Sequence, residues 1–343
     1  MRRSTAALST ATILSLVLVS VLAGPASADD RAAQARAEQA RIVAYWTPAR
    51  VASAIPRDFI REPNGTFKPA AKPSNPGKPG GGGSGGNVTG ASWNGGGVIK
   101  TASGKVLFRM GSSRYVCSAS VVDDGSRTGS RILTAAHCAF DESTGLFATE
   151  WLFVPDYDSA PTFDCALNRF GCWTATALVV HDGYASAGGF TDEATYHDFA
   201  IAVVGVGTQG TQLDTIVGKF GIQYNGDGVG TDVKVGDKLY AFGYPAAGKY
   251  KGNDLVYCAG PIGTDVYNDD KTWSMGCDMT GGSSGGPWLA DFSEGSGSGI
   301  LSSLNSYGYS GIKNMYGPVF NTNTRDVVTE AFSRTSGNDI VGD

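Results

Sequence analysis

From Trp93 onward the chain reads as short apolar runs broken by Gly, Ser and Asp. Lys105–Met110, Tyr115–Val122 and Arg131–Thr134 come first, followed by Ala175–Val180, Phe199–Val204, Val235–Gly243 and Gly299–Leu304. Short runs separated by turn residues predict the strands of a sandwich or barrel. No repeat with a period of roughly 20–50 residues is visible. One helix closes the pattern: Asn323-Thr324 cap a segment through Arg334, with Val327, Val328, Ala331 and Phe332 on one face.

The N-terminal third has a different texture. Arg2 and Arg3 precede an apolar run, Ala11–Ala23, and Ala26-Ser27-Ala28 is a small-x-small site, so residues 1–28 are read as a secretory signal peptide. The rival reading is a membrane anchor, for which the run is short against the ~20 residues a span needs. Residues 29–61 are rich in Ala, Arg, Glu and Gln. They begin as a polar helix, and Thr47-Pro48 then supplies an N-cap followed by Pro at the first helical position, with Val51, Ala52 and Ala54 as a small apolar face. Residues 62–90 carry Pro and Lys and then a glycine run around Gly80–Gly83, a composition that cannot bury a core and predicts a linker. This order predicts a propeptide (29–61), a linker (62–90) and a folded domain (91–343). The alternative for the first two is a tail kept in the mature protein.

Composition narrows the function. The chain has 343 residues, 41% hydrophobic and 17% charged, which is enough apolar material for a buried core. Its 49 glycines and low charge fit an all-β protein with many turns. A formal net charge of −5 argues against a nucleic-acid partner, which needs a basic surface. Six cysteines in an exported chain imply three disulfides, with about 15 connectivities open. A metal site is disfavoured because no Cys-x-x-Cys occurs and only three histidines are present.

Three segments carry candidate chemistry. Thr134-Ala135-Ala136-His137-Cys138 offers a base, His197-Asp198-Phe199-Ala200 an acid before an apolar strand, and Gly281-Gly282-Ser283-Ser284-Gly285-Gly286-Pro287 a serine among glycines. A nucleophilic serine needs a base, the base needs an acid to fix its tautomer, and glycines leave backbone N–H groups free to face an oxyanion. The order His, Asp, Ser and these motifs resemble the chymotrypsin-like serine peptidases, over roughly Trp93 to the C-terminus, and most of all the secreted bacterial branch that includes the glutamyl endopeptidases.

That resemblance implies two antiparallel β-barrels, around Trp93–Val206 and Gly207–Arg334, and a C-terminal helix. It implies Ser284 as nucleophile, His137 as base, Asp198 as the orienting acid (with Asp192 and Glu193 as nearby rivals), and the N–H groups of Gly282 and Ser284 as oxyanion hole. Ser306-Tyr307-Gly308 is similar to the family strand that pairs with substrate, its serine bonding the catalytic aspartate. The resemblance picks a Cys117–Cys138 bridge; Cys165–Cys172 is read as a local loop, and Cys258–Cys277 is what remains. It places Asp278, six before the nucleophile, at the base of the specificity pocket, with Gly308 and Gly317 leaving that pocket open. A carboxylate there would select Arg or Lys. In the other reading Asp278 is a solvent-facing turn residue, because Met279-Thr280 follow where trypsins carry Ser-Cys. Two departures stand out. Ser283 occupies the place of the aspartate that receives the new N-terminus in animal trypsins, and Asn305 that of the pocket histidine of glutamyl endopeptidases. The expectation is therefore a secreted, monomeric serine endopeptidase without cofactor or metal, acting on protein or peptide substrates. A catalytically silent relative used as a binding module, or an esterase, is the alternative.

Overall fold

A computed structural model describes residues 27–70, 86–123, 125, 129–157 and 163–342. Apart from Ser27 and Ala28, the expected signal peptide lies outside the described residues. Ser27 opens helix α1 (Ala28–Tyr45) through a capping box with Asp30. Helix α2 (Pro48–Ser53) starts as the sequence predicts, with the Thr47 side chain accepting from the Arg50 N–H. After it the chain extends as β1 (Ile55–Pro56), β2 (Phe59–Arg61), β3 (Phe67–Pro69) and β4 (Val88–Ser92).

The first barrel follows: β5 (Ser103–Met110), β6 (Ser113–Val122), β7 (Ser130–Thr134), a small hairpin β8 (Phe140–Asp141) and β9 (Leu146–Phe147), then β10 (Thr149–Pro155), β11 (Trp173–His181) and β12 (Ala200–Val204). The strand order β6-β5-β10-β11-β12-β7 closes on itself because β6 also pairs with β7, which leaves no free edge within that ring. Every residue of β12 is buried, as its continuous apolar run requires.

The second sheet comprises β13 (Gly221–Ile222), β14 (Lys238–Gly243), β15 (Val256–Thr264), β16 (Thr272–Gly276), β17 (Pro287–Ser293), β18 (Ser298–Leu304), β19 (Tyr307–Tyr309) and β20 (Asn314–Pro318). A last strand, β21 (Asp339–Val341), returns to β11 of the first barrel. The all-β, two-part architecture with a closing helix is as expected.

Three boundaries differ from the sequence reading. β3, inside the stretch read as linker, and β4, which begins at its end, are paired strands: β3 with β2, and β4 with β15. Backbone hydrogen bonds with established neighbours outweigh a poor local composition. Trp93, just past β4, docks on the second sheet, its N–H donating to the Leu255 carbonyl before β15 and its ring meeting Phe242 and Tyr257 edge-on. The closing helix runs Thr322–Ser333 and is capped by Asn321, two residues before the expected cap.

Val327, Val328 and Ala331 of that helix are buried as predicted, and Arg131 fastens its end. The Arg131 guanidinium, fully buried, donates to the carbonyls of Ala331 (2.6 Å), Phe332 (3.1 Å) and Arg334 (2.9 Å). A cation there satisfies carbonyls that a helix C-terminus leaves open and suits the negative end of its dipole. Arg131→Met keeps the stem but strips three carbonyls of this donor, the Ala331 carbonyl in a buried contact and the other two part-buried. It should cost about 2–4 kcal/mol of unfolding free energy by urea titration; a loss under ~0.5 kcal/mol would show that the contact is not structural.

Candidate active site

His137 sits in a single 3₁₀ turn, Ala136–Cys138, directly after β7. Thr134, Ala135 and Ala136 are all buried, so the turn is held by packing on both sides. Asp198 lies just before β12, the partner of β7, and accepts twice from the histidine: from its backbone N–H (2.9 Å) and at Nδ1 (2.8 Å). Ser306 Oγ donates to the same carboxylate at 2.5 Å. An ionised carboxylate on Nδ1 fixes the tautomer that leaves Nε2 as the acceptor, and among the described residues Nε2 has no hydrogen-bond partner. Asp192 and Glu193, the nearby rivals, point elsewhere: Asp192 to Arg61 and Glu193 to His197.

The glycine-rich turn is dictated by contact. Gly282 has φ +97°, and a Cβ there would lie 2.9 Å from the Tyr244 carbonyl oxygen. Gly285 has φ +81°, and a Cβ would lie 2.2 Å from Thr134 Oγ1. Side chains are excluded on both counts. Ser284 is buried between them, and Ser118 ties the turn to the first barrel, its N–H donating to the Ser284 carbonyl (2.7 Å). The Ser283 hydroxyl is buried without a hydrogen-bond partner, and faces no catalytic group among the described contacts.

Ser284 Oγ does not reach His137. It donates instead to Asp58 Oδ1 at 2.6 Å, and the Gly282 N–H approaches both oxygens of the same carboxylate (3.1 and 3.3 Å). Burial pushes the Asp58 carboxyl above its ordinary range, opposed by the Ser284 hydroxyl, His137 and the Gly282 N–H. Its neighbours line the same cleft. β1 pairs parallel with β6 and β2 parallel with β19, so residues 55–61 cross from one sheet to the other over the serine. Phe59 stacks on Phe190 at 4.0 Å and meets the His137 ring edge-on at 5.5 Å. Arg57 and Arg61 tie down either side of Asp58. None of this was anticipated from sequence. The available signal was Pro56, which pushes the residue before it toward extended backbone, followed by Phe59-Ile60, two adjacent large apolar residues.

Beside the serine opens a cleft of about 1040 Å³ that Asp278, Gly308, Ser306 and Met315 help to line. Asp278 lies at the wall of this cleft. Its carboxylate is ion-paired with Lys249 Nζ and accepts from Tyr250 Oη at 2.6 Å, so its charge is already matched within the protein. Gly308 does line the cleft, as expected. Gly317 does not; a Cβ there would lie 2.0 Å from the Leu304 carbonyl oxygen, so this glycine serves the approach of β20 to β18. Asn305 is buried and braces the turn, donating to the Phe242 and Ser283 carbonyls (2.7 and 3.0 Å).

All three bridges form as expected: Cys117–Cys138 beside the histidine turn, Cys165–Cys172 and Cys258–Cys277. The metal-like grouping of Cys117, His137 and Cys138 offers little to an ion, because its sulfurs are bonded to each other. No helix among the described residues is long and apolar enough to cross a membrane.

Two solved structures are similar along most of their length. One is the protease Anisep from Arthrobacter nicotinovorans, 35% identical, matching 68% of this chain and 96% of that one with a TM-score of 0.57. The other is the thermostable serine protease AL20 from an extremophilic microorganism, 32% identical, matching 69% and 100% with a TM-score of 0.57. A glutamyl endopeptidase structure is more distant, at 18% identity and a TM-score of 0.48. No family model and no curated protein matched the chain.

The bridges carry a direct test. Denaturation without reductant should leave no thiol open to alkylation in the intact chain, and reduction should expose six, counted by mass shift. Free thiols before reduction would remove the brace assigned to the His137 turn.

Proposed function

Because the chain belongs to the chymotrypsin-like serine proteases, we propose that it is a secreted serine endopeptidase, made latent and acting through Ser284, His137 and Asp198. The observation that carries this reading is the His137–Asp198–Ser306 chain, which leaves Nε2 as a free acceptor in the cleft that holds Ser284. With the serine hydroxyl turned to His137, Nε2 takes its proton as Oγ attacks the substrate carbonyl carbon. The N–H groups of Gly282 and Ser284 receive the developing oxyanion. His137 then returns the proton to the leaving amine, and water repeats the cycle on the acyl-enzyme. The three bridges and the signal-like N-terminus support export.

Residues 29–61 act as a propeptide in this reading. Asp58 occupies the position an oxyanion would take, and draws the Ser284 proton away from His137. What faces the nucleophile is a side-chain carboxylate, a poor electrophile, so the segment blocks the site without being a substrate at that position. Activity requires residues 55–61 to leave.

The cleft beside Ser284 admits a sizeable side chain past Gly308. Lys249 already neutralises Asp278 at its wall, so preference for Arg or Lys before the cleaved bond is expected to be weak, and Asp278→Ser should change it less than ten-fold.

Ser284→Ala should lower kcat by several orders of magnitude, and Ser283→Ala by less than about three-fold. A fluorophosphonate, mapped by peptide mass, tests the latency. It should label Ser284 slowly in the full chain and much faster in Asp58→Ala; equal labelling of the two would remove Asp58 from the inhibitory role. The pH dependence has a definite sign. A carboxyl whose pKa is higher when docked than free binds its proton more tightly when docked. Docking is therefore strongest below the ordinary value of 3.8 and weakens as pH rises through the raised value. Labelling of the full chain should accelerate from acid toward neutral pH more steeply than that of Asp58→Ala.

A further inference from the structure

The side chain next to Asp58 lies in a recess that is separate from the cleft around Asp278. Arg57 is nine-tenths buried, and its guanidinium donates to the His137 carbonyl (2.5 Å) and to Glu142 Oε2 (3.0 Å), with Asp141 Oδ1 at 3.5 Å. Tyr184, fully buried, donates its hydroxyl to the same Glu142 oxygen at 2.9 Å. The rings of Phe59 and Tyr115 flank the guanidinium at 5.4 and 5.8 Å. Of these groups only Arg57 and Phe59 belong to the inhibitory segment. The carboxylates, the carbonyl and the phenol belong to the barrel and stay when the segment leaves.

We propose that this recess is a substrate subsite for a basic side chain, an arginine or lysine of the peptide on the leaving-group side of the cleaved bond, and that Arg57 is its occupant in the latent form. The proposal rests on the peptidase reading above. Glu142 is almost wholly buried beside Arg57, and such a carboxylate needs a cation or full hydrogen bonding, of which Tyr184 supplies one bond. An acceptor set of carboxylates and a carbonyl, with no donor but the Tyr184 phenol already spent on Glu142, fits a guanidinium or ammonium and repels an acidic side chain. The side follows from the chain path. Residues 55–56 lie along β6, residues 59–61 along β19, and Arg57 falls on the β6 side of Ser284. The recess is built on the turn and short strand that follow His137, the group that delivers a proton to the leaving amine. Here the acidic charge is met by the occupant itself, whereas the anion in the neighbouring cleft is already met by Lys249. Basic preference therefore belongs after the cut rather than before it.

Two measurements decide the matter. In the first, enzyme secreted from the full chain digests a mixed peptide library, and both flanks of each cut are read by mass spectrometry. Arg and Lys should be enriched about five- to ten-fold at one of the first two positions after the cut, and Glu142→Gln should bring the ratio of basic to neutral substrates close to one. Absence of that enrichment, enrichment only before the cut, or enrichment that survives Glu142→Gln would each overturn the subsite. If the wild type cleaves nothing and Ser284 resists labelling even in Asp58→Ala, the peptidase reading fails, and the recess is judged by the second measurement alone. That measurement is hydrogen exchange of residues 55–61 in the full chain carrying Ser284→Ala. Arg57→Lys should retain most of the protection, while Arg57→Gln and Glu142→Gln should each lose about ten-fold or more. Unchanged protection in Arg57→Gln would show that the recess does not select a cation.

Discussion

One buried carboxylate holds the two halves of this protein in register. Asp198 accepts from the backbone and ring of His137, both on the first barrel, and from Ser306 at the entrance to β19 of the second. Three donors on one wholly buried anion leave it little freedom to move. The position of the histidine relative to Ser284 is then fixed by the contact between the barrels, reinforced where Ser118 bonds the glycine turn. A site assembled from the seam of two sheets needs such a tie, because neither sheet alone positions both His137 and Ser284.

The N-terminal segment uses the same seam from the outside. Trp46, buried at the end of α1, donates its indole N–H to the Glu150 carbonyl at 2.6 Å, which anchors the leader on the first barrel. β2 and β3 add to the second sheet. Residues 55–61 bridge the two attachments, so the extended stretch over Ser284 is held from both ends. Its side chains meet different partners in turn: Arg57 an acidic recess, Asp58 the Ser284 hydroxyl and the Gly282 N–H, Phe59 an aromatic wall, Arg61 the Asp192 carboxylate.

What was legible in the sequence was what short motifs carry. Seven strands of the two sheets, the closing helix, the bridges and the residues His137, Asp198, Ser284 and Ser306 could be named beforehand, since each lies in a local pattern or a contiguous resemblance, whereas β10, β15, β16, β17 and β20 were not. What was not legible is made of pairs distant in the chain. Ser284 and Asp58 are 226 residues apart, Arg57 and Glu142 are 85, and Lys249 and Asp278 are 29. No local pattern announces such pairings. A carboxylate read alone at position 278 invites a trypsin-like pocket; only its neighbour shows that the charge is already used. Gly317 misled for a related reason, because a glycine that admits a backbone looks the same in sequence as one that admits a ligand.

In the proposed latent form, the stretch over Ser284 is joined to the barrels by the chain itself, through the glycine-rich run that separates β3 from β4. While that connection is intact, the stretch competes for the cleft at an effective concentration on the order of millimolar, and even a weakly bound occupant keeps the site filled. Were that connection cut, as the proposed activation requires, the same contacts would compete at whatever concentration the protein has in solution. On the proposed export such a molecule would be diluted continuously, and its freed leader with it. The transition from silent to active is then driven by volume rather than by any change in the strength of a contact, and it runs in one direction only.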